Sequence, residues 1–252
     1  MPISRILAAA VLALALAASP LSASARDPIA SARQPLSGVV IALDPGHNGG
    51  NASHAAQIAR LVWIGNRYKP CNQVGTSTRS GYPEHAFNFD VALRVKARLE
   101  DLGAVVHMTR TTDTGVGPCV DVRGKFGEKV HATLAVSIHG DGASTSYRGF
   151  FVMRPGLVRG YTDDILTRSA TLAKAMRSGL SDAGLTVANY YATNGLISRT
   201  DLGTLNWSDV PIVMIELGNM KNATDAARMT TRSGRSQYAR GIVFGIRHYL
   251  GR

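Results

Sequence analysis

Short apolar runs alternate with segments of helical period along most of this chain, and that alternation restricts the folds open to it. The apolar runs predict strands over 39–43, 104–109, 134–138, 149–153 and 211–215. Apolar residues three or four positions apart predict helices over 83–102, 121–131, 162–183 and 238–250. We therefore expect a single α/β domain with a mixed, mostly parallel twisted sheet and helices on both faces.

The first 25 residues have the order of charge, apolar core and small residues that is typical of a secretory signal. Arg5 is their only charged side chain, and residues 23–25 read A-S-A, which fits a cleavage site. The apolar run is shorter than the roughly 20 residues that a membrane-spanning helix needs, although an uncleaved anchor is the alternative. We expect a signal peptide over 1–25, a linker over 26–37 and the folded domain over 38–252, with no membrane span after cleavage.

Export changes how the two cysteines are interpreted. Cys71 and Cys119 are the only pair in the chain, and an oxidising compartment favours a disulfide between them. The bond would anchor the long segment over 48–82, which is rich in Gly, Asn, Ser and Thr. Two free thiols or metal ligands are the alternative, which the absence of a CxxC motif disfavours.

The chain is strongly basic, with 28 Lys and Arg against 17 Asp and Glu and a formal charge of +11. Nucleic acid is one anionic partner that such a charge can attract. The basic residues are scattered and are not interleaved with aromatic residues, so we do not expect nucleic-acid binding. Attraction to an acidic polymer or membrane surface outside the cell is one interpretation, and a solvated surface that aids solubility is the other.

Three of the predicted strands run into a residue that can bind metal or move protons. They lead to His47, His139 and Glu216, and ligands of open α/β sheets bind at the carboxyl ends of strands. Glu84 lies in the first turn of a predicted helix and can face the same edge. Two imidazoles, one carboxylate and an open position form a catalytic zinc site, and a second carboxylate can move the protons. The alternative is that these are structural histidines, since the spacing contains no short fingerprint such as HExxH.

Four longer segments carry a more specific signal. They are IALDPGHNGG (41–50), PEHAFNFDVALRVKARLEDLGAVVHMTRTTD (83–113), VRGKFGEKVHATLAVSIHGDGA (122–143) and PIVMIELGNMKNATDA (211–226). With them the chain resembles the zinc-dependent N-acetylmuramoyl-L-alanine amidases of the amidase-3 family, which act on bacterial cell walls, from about residue 38 to residue 250. The resemblance implies one zinc ion per chain, held by His47, Glu84 and His139, with Glu216 as the catalytic residue.

The chain departs from the family's pattern in two places. Asp141 stands where the family often has Asn, two positions after the second histidine, and the segment between His47 and Glu84 is longer than in many relatives. Asp141 is therefore a candidate for contact with the substrate or the metal surroundings. Asp44 is a candidate for orienting a ligand histidine or, alternatively, for capping the turn before Pro45.

Other side chains near these motifs have competing interpretations. His85 adjoins Glu84, but adjacent helical side chains diverge by about 100°, so we expect only Glu84 to face the site. His54 in the long segment is expected to be exposed rather than a ligand. Arg123 can pair with an acid inside the fold or touch the substrate, and we favour the structural role.

The resemblance implies a reaction and its surroundings. The expected reaction is hydrolysis of the amide bond between N-acetylmuramic acid and L-alanine of the stem peptide, in wall remodelling or recycling, as in an autolysin. Peptidoglycan or its muropeptide fragments are the expected substrates of a monomer that is exported to the periplasm, the cell wall or the medium. The alternatives are another zinc peptidase that acts on wall peptides, and a non-catalytic wall-binding protein.

Overall fold

The computed structural model describes Met1 and residues 34–252. Within them the strands are β1 (Val40–Pro45), β2 (Leu61–Trp63), β3 (Tyr68–Pro70), β4 (Val105–Met108), β5 (Leu134–Asp141), β6 (Phe151–Pro155), β7 (Leu196–Arg199) and β8 (Ile212–Asn219). The helices are α1 (Ala55–Ala59), α2 (Glu84–Asp101), α3 (Val120–Lys129), α4 (Leu166–Asp182), α5 (Gly203–Asn206), α6 (Ala223–Thr230) and α7 (Arg232–Leu250). The predicted signal peptide and most of the predicted linker lie outside the described residues.

Six strands form one sheet in the order β4-β1-β5-β8-β6-β7. Neighbouring strands in this sheet are parallel, except for β6 and β8, which are antiparallel. β2 and β3 form a separate antiparallel ribbon. The predicted α/β class, with a mixed and mostly parallel sheet, is confirmed.

Helices cover both faces of the sheet, as the sequence predicts. On one face α2, α4 and α7 pack against the sheet, and Phe87, Tyr238 and Val136 are fully buried there. On the other face α3 and α5 pack, and Leu205 and Ala135 belong to that second core. Because successive strand residues point to opposite faces, a central strand covered on both sides is apolar throughout, which is why these strands are continuous apolar runs in the sequence.

α2 matches its predicted range to within a residue at each end and carries part of the site at its start. Phe87, Val91, Val95 and Leu99 lie four positions apart and are fully buried against the sheet. The chain leaves the helix through Gly103, whose φ of 90° favours glycine. This packing fixes how the first turn of α2 approaches the carboxyl ends of β1 and β5.

Two central strands extend further than predicted. β5 continues to Asp141 and β8 to Asn219, so His139 and Glu216 lie within paired strands rather than after them. The apolar runs end earlier because the last residues of both strands include polar side chains that line the groove, such as His139 and Glu216, or form hydrogen bonds at the edge of the sheet, such as Asn219.

Several short elements were not predicted, and one helix begins earlier than expected. α1, α5, α6, β7 and the β2–β3 ribbon are each too short for a period to identify them. α7 begins at Arg232 rather than at 238, because the side chain of Thr231 caps it by accepting from the amide of Gly234 at 3.1 Å.

The segment over 48–82 is anchored by the predicted disulfide, which is confirmed. Cys71 and Cys119 are bonded, with their Cα atoms 4.4 Å apart. Next to the bond, the side-chain amide of Asn72 donates to the carbonyl of Pro118 at 3.1 Å. These contacts hold the stretch that follows, over 73–76, beside the edge of the main sheet.

Residues 34–37, the last part of the predicted linker, pack on the domain. Leu36 is fully buried, and its amide donates to the carbonyl of Leu102 at 2.8 Å. The domain boundaries otherwise stay a prediction. Over residues 34–252, no helix combines the length and the apolar character that crossing a membrane requires.

Candidate active site

A tight turn after β1 brings His47 to the edge of the sheet. The amide of Gly46 donates to the carbonyl of Ile138 at 2.9 Å, and His47 then adopts a left-handed φ of 58°. A Cβ at position 46 would overlap the ring of His139. The glycine therefore lets the two imidazole rings approach, with their centroids 5.0 Å apart.

Glu84 is the first residue of α2, and its carboxylate lies between the two imidazoles. Its Oε1 is 3.1 Å from Nε2 of His47 and 3.0 Å from Nδ1 of His139. Its Oε2 accepts from the amide of Thr76 at 2.9 Å, while the carbonyl of Thr76 accepts from the amide of Glu84, also at 2.9 Å. These paired bonds fix a buried carboxylate in one orientation.

The three side chains have the chemistry and spacing of a metal site. One potential ligand atom from each of His47, Glu84 and His139 lies within 4.8 Å of the others. Nδ1 of His47 is 2.9 Å from the carbonyl of Gln73. If Nδ1 donates there, Nε2 is left to face the cluster, as is usual for a metal-ligating histidine. Two imidazoles and a carboxylate are a ligand set of catalytic zinc, so these residues fit that ion.

Glu216 lies directly across the β5–β8 pairing from His139. Its Oε2 is buried and has no hydrogen-bond partner among residues 34–252. A buried polar atom without a partner is unfavourable and rare in proteins, and a catalytic role is one recognised reason for keeping such an atom. This oxygen is therefore available for a proton or a ligand beside the His47, Glu84 and His139 cluster.

The two glutamates have opposite electrostatic surroundings. Burial raises the pKa of Glu84, but the charges and hydrogen bonds of His47 and His139 outweigh burial and hold the pKa well below its usual value. Burial also raises the pKa of Glu216, and the nearby carboxylates of Glu84 and Asp141 raise that pKa further, well above its usual value. Glu84 thus stays ionised, as a ligand must, while Glu216 can hold a proton.

Asp44 and Arg123 form a buried ion pair beneath the cluster. Arg123 donates to Asp44 at 2.6 Å and to the carbonyl of His47 at 2.9 Å, which is the structural role that we favour. Asp44 also accepts from the hydroxyls of Thr109 at 2.6 Å and Ser137 at 2.7 Å. Burial raises the pKa of Asp44, but the Arg123 charge and these hydrogen bonds leave the pKa below its usual value. Asp44 therefore acts on His47 indirectly, because Arg123 bonds to both of them. The sequence predicts that Asp44 either orients a ligand histidine or caps the turn before Pro45, and neither of these predicted roles includes Arg123.

The other candidates lie apart from the cluster. Asp141 accepts from the hydroxyl of Tyr190 at 2.8 Å and lines the same groove. His85 points away and pairs with Asp113 at 2.7 Å, so Glu84 alone of the two neighbours faces the site, as predicted. His54 is exposed and is 2.8 Å from the carbonyl of Gly50.

Two residues that the sequence patterns did not identify, namely Arg110 and Gly75, support the position of His47. The buried side chain of Arg110 donates to the carbonyls of Pro45 at 2.9 Å and Gly46 at 3.2 Å, and so supports the turn that carries His47. Burial lowers the pKa of Arg110 to about 10. Gly75 has a φ of 85°, and a Cβ there would lie 2.7 Å from Cδ2 of His47. Arg110 falls within the quoted motif 83–113, whereas Gly75 lies in the unpatterned segment and has no sequence signal of its own.

The cluster opens into a groove of about 600 Å³. Phe151, Met153, Tyr191, Lys69, Arg199 and Asp201 line it beyond the cluster. Arg199 donates to both carboxylate oxygens of Asp201, at 2.8 and 2.9 Å, and Lys69 lies 3.5 Å from the same carboxylate. The groove therefore has enough room for a segment of polymer, and charged side chains form part of its lining.

Comparison with known proteins agrees with this geometry. Residues 41–248 match the Amidase_3 family, described as N-acetylmuramoyl-L-alanine amidase. The chain is 39% identical over 243 residues to N-acetylmuramoyl-L-alanine amidase Rv3717 of Mycobacterium tuberculosis, covering 94% of this chain and 95% of that protein.

Solved structures give the same result. The crystal structure of the N-acetylmuramyl-L-alanine amidase Ami1 from Mycobacterium smegmatis has a TM-score of 0.81 at 40% identity, over 86% of this chain and 98% of that one. The apo form of Ami1 from Mycobacterium abscessus has a TM-score of 0.80 at 41% identity, over 85% of this chain and 100% of that one. Family, sequence and fold agree, and the chain belongs to the Amidase_3 family of N-acetylmuramoyl-L-alanine amidases.

Proposed function

We propose that this chain uses zinc to hydrolyse the amide bond between N-acetylmuramic acid and L-alanine of peptidoglycan stem peptides. His47, Glu84 and His139 hold one zinc ion, and Glu216 moves the protons. The observation that carries the proposal is the unpartnered Oε2 of Glu216, on the same rim as a His–Glu–His cluster. Membership of the amidase family supplies the substrate.

The reaction needs a nucleophile, a polarised carbonyl and a proton for the leaving amine. Zinc, when bound, supplies Lewis acidity toward the scissile carbonyl and acidifies water. Glu216 accepts a proton from the attacking water on its free oxygen. It then gives that proton to the nitrogen of L-alanine as the carbon–nitrogen bond breaks. The products are a muramic-acid carboxylate and a free peptide amine.

The chain's own residues keep the two glutamates in different roles. Glu84 accepts from the amide of Thr76 and lies between the two imidazoles, so it does not exchange protons with substrate. The raised pKa of Glu216 makes it a stronger base once it is ionised and a competent acid once it is protonated. Glu216 alone therefore acts first as the general base and then as the general acid.

The test is the Glu216→Gln variant, assayed on purified peptidoglycan and on muramyl dipeptide. We expect turnover to fall by about 10²- to 10⁴-fold while zinc content, measured by mass spectrometry, stays at one ion per chain. Turnover within threefold of the parent protein would refute the role of Glu216. Glu128→Gln, a glutamate of α3 outside the groove, is the matched control.

Product analysis separates the proposed reaction from its rivals. Amidase action releases intact stem peptides that begin with L-alanine, whereas a peptidase leaves alanine on the sugar. Binding to walls without release of product would indicate a non-catalytic protein. Removal of zinc with a chelator should abolish release, and added zinc should restore it.

The chain's layout and location complete the proposal. Residues 1–25 direct export and are removed, residues 26–37 form a linker, and residues 38–252 form a monomeric catalytic domain in the periplasm, the wall or the medium. The sequence pattern of the leader and the cell-wall amidase family support this layout. Mass spectrometry of the exported protein should give an N-terminus at Arg26; an N-terminus at Met1 would contradict cleavage.

A further inference from the structure

Tyr191 combines a strained backbone with an exposed aromatic ring at the groove. Its φ is 57° and its side chain is 72% exposed. The amide of Ala192 donates to the carbonyl of Tyr190 at 2.6 Å, which closes a three-residue turn with Tyr191 at the tip. A bulky residue in left-handed conformation is unusual, and such strain persists at ligand sites where the surroundings enforce it.

The surroundings that hold this turn are well defined. The hydroxyl of Tyr190 donates to Asp141 at 2.8 Å, and its ring stacks on that of Tyr147 with centroids 4.9 Å apart and planes within 3° of parallel. The amide of Ala188 donates to the carbonyl of Phe150 at 2.8 Å. The ring of Tyr191 is therefore presented from a fixed base rather than from a free loop.

The ring lies near Phe151, which is the neighbour of the proposed proton-transfer residue on the adjacent strand. It is 6.5 Å, between centroids, from the ring of Phe151. Phe151 is directly opposite Glu216 in the β6–β8 pairing, so these two side chains share one face of the sheet. Tyr191, Phe151 and Glu216 all line the groove. Arg199 pairs with Pro155 of β6, and its guanidinium lies 3.9 Å from Sδ of Met153, which also lines the groove.

The groove thus presents the exposed ring of Tyr191 together with the charged side chains of Arg199 and Lys69. We propose that Tyr191 is a platform on which a sugar ring of the glycan stacks, while the stem peptide extends toward Arg199 and Lys69. The inference rests on the proposed amidase reaction, which places a sugar on one side of the scissile bond and a peptide on the other. The C–H groups of a sugar ring suit the negative face of an aromatic ring, and a carboxylate of the peptide suits Arg199 and Lys69, whose two positive charges exceed the one negative charge of Asp201.

The test measures binding of the peptide-free disaccharide N-acetylglucosaminyl-N-acetylmuramic acid to the full chain by calorimetry. Tyr191→Gly and Tyr191→Asn remove the ring and accept a left-handed backbone, so both should fold, which circular dichroism checks. We expect each to weaken binding about fivefold to tenfold. Tyr191→Phe should bind within twofold of the parent protein. Tyr68→Ala, which removes a tyrosine that is 65% exposed and does not line the groove, is the matched control.

Each outcome decides the proposal, and the readouts keep it separate from the reaction itself. Ring-dependent binding of the disaccharide supports the platform, even if the chain fails to cleave the amide. Equal binding by Tyr191→Gly and the parent protein overturns it, and so does absence of disaccharide binding at millimolar concentration. A loss confined to binding of the sugar-free stem peptide also overturns it, because the ring would then contact the peptide.

Discussion

The buried pair of Asp44 and Arg123 gives the sharpest test of how this site is supported. Arg123→Met removes donors to Asp44, to the carbonyl of Pro45 at 3.0 Å and to the carbonyl of His47 at 2.9 Å. The side chains of Arg123 and Asp44 are only 2% and 6% exposed, so solvent screens neither charge. Removing one partner of a buried ion pair costs about 3–5 kcal/mol, and we expect that loss in the free energy of unfolding.

The effects of replacing Asp44 and Arg123 on the free energy of unfolding should also be coupled. Asp44→Asn should also destabilise the fold, because it leaves the guanidinium of Arg123 buried without its partner. The double variant buries no charge at this position, so its loss should be smaller than the sum of the single losses by about 2 kcal/mol. Urea unfolding followed by circular dichroism, with the disulfide intact and zinc chelated, measures all four proteins. Single losses that add to within about 0.5 kcal/mol would refute the argument.

The pH dependence provides a second check on the same pair. In the parent protein the pKa of Asp44 is lowered in the folded state. Its stabilisation is therefore present above the unfolded value of about 3.9 and is lost as the pH falls below it. In Arg123→Met, burial without a counter-charge raises the pKa of Asp44, so the variant recovers stability as the carboxyl protonates. The gap between the two proteins should narrow between pH 7 and pH 4, and a constant gap would count against the ion pair as its cause.

Three further perturbations follow from the structure. Replacing Cys71 and Cys119 by serine opens a loop of 48 residues and should lower the free energy of unfolding by about 4 kcal/mol; urea midpoints check this, and an unchanged midpoint would contradict it. Asp201 has a pKa of about 2, because its arginine partner donates two hydrogen bonds and burial only partly offsets them. Asp201→Asn should therefore cost about 1 kcal/mol at pH 7, after discount for its exposure, and almost nothing near pH 2; thermal midpoints at both pH values test the difference. Gly46→Ala should weaken binding at the proposed zinc site by about 10- to 100-fold, because the new methyl overlaps the ring of His139; competition with a chelator measures this, and parent-like affinity would argue against it.

The sheet was predictable because its central strands are buried on both faces. Ile41 and Leu43 face one core and Ala42 faces the other, so β1 appears in the sequence as an uninterrupted apolar run. β7 lies at the edge of the sheet, pairs with β6 alone and is partly exposed along its length. A four-residue strand at the edge of the sheet has no run or alternation of buried apolar residues, so the sequence pattern does not predict it.

The site was predictable where it depends on strand ends and unpredictable where it depends on distant packing. His139 and Glu216 meet because their strands are hydrogen-bonded neighbours, and parallel strands bring their carboxyl ends to one edge. Gly75 and Thr76 meet Glu84 because a disulfide and a ribbon place their segment there. Contacts that depend on a disulfide or a separate ribbon do not follow the regular spacing of a helix or a strand. Hydrophobic periodicity in the sequence therefore cannot predict them.

The difference between the two glutamates also comes from the fold rather than from the residue type. Both are glutamates, yet Glu84 accepts from the amides of Thr76 at 2.9 Å and Gly140 at 3.2 Å and contacts two imidazoles. Glu216 has one oxygen that is buried without a partner among residues 34–252. A carboxylate that accepts several hydrogen bonds is stabilised in its charged form, whereas burial beside the carboxylates of Glu84 and Asp141 outweighs the charge of Arg199 and disfavours the charged form of Glu216. The proposed division into ligand and base therefore rests on where two backbone amides point. Those amides belong to the segment before α2 and to another strand, which is why the family resemblance was needed to propose the role of Glu84.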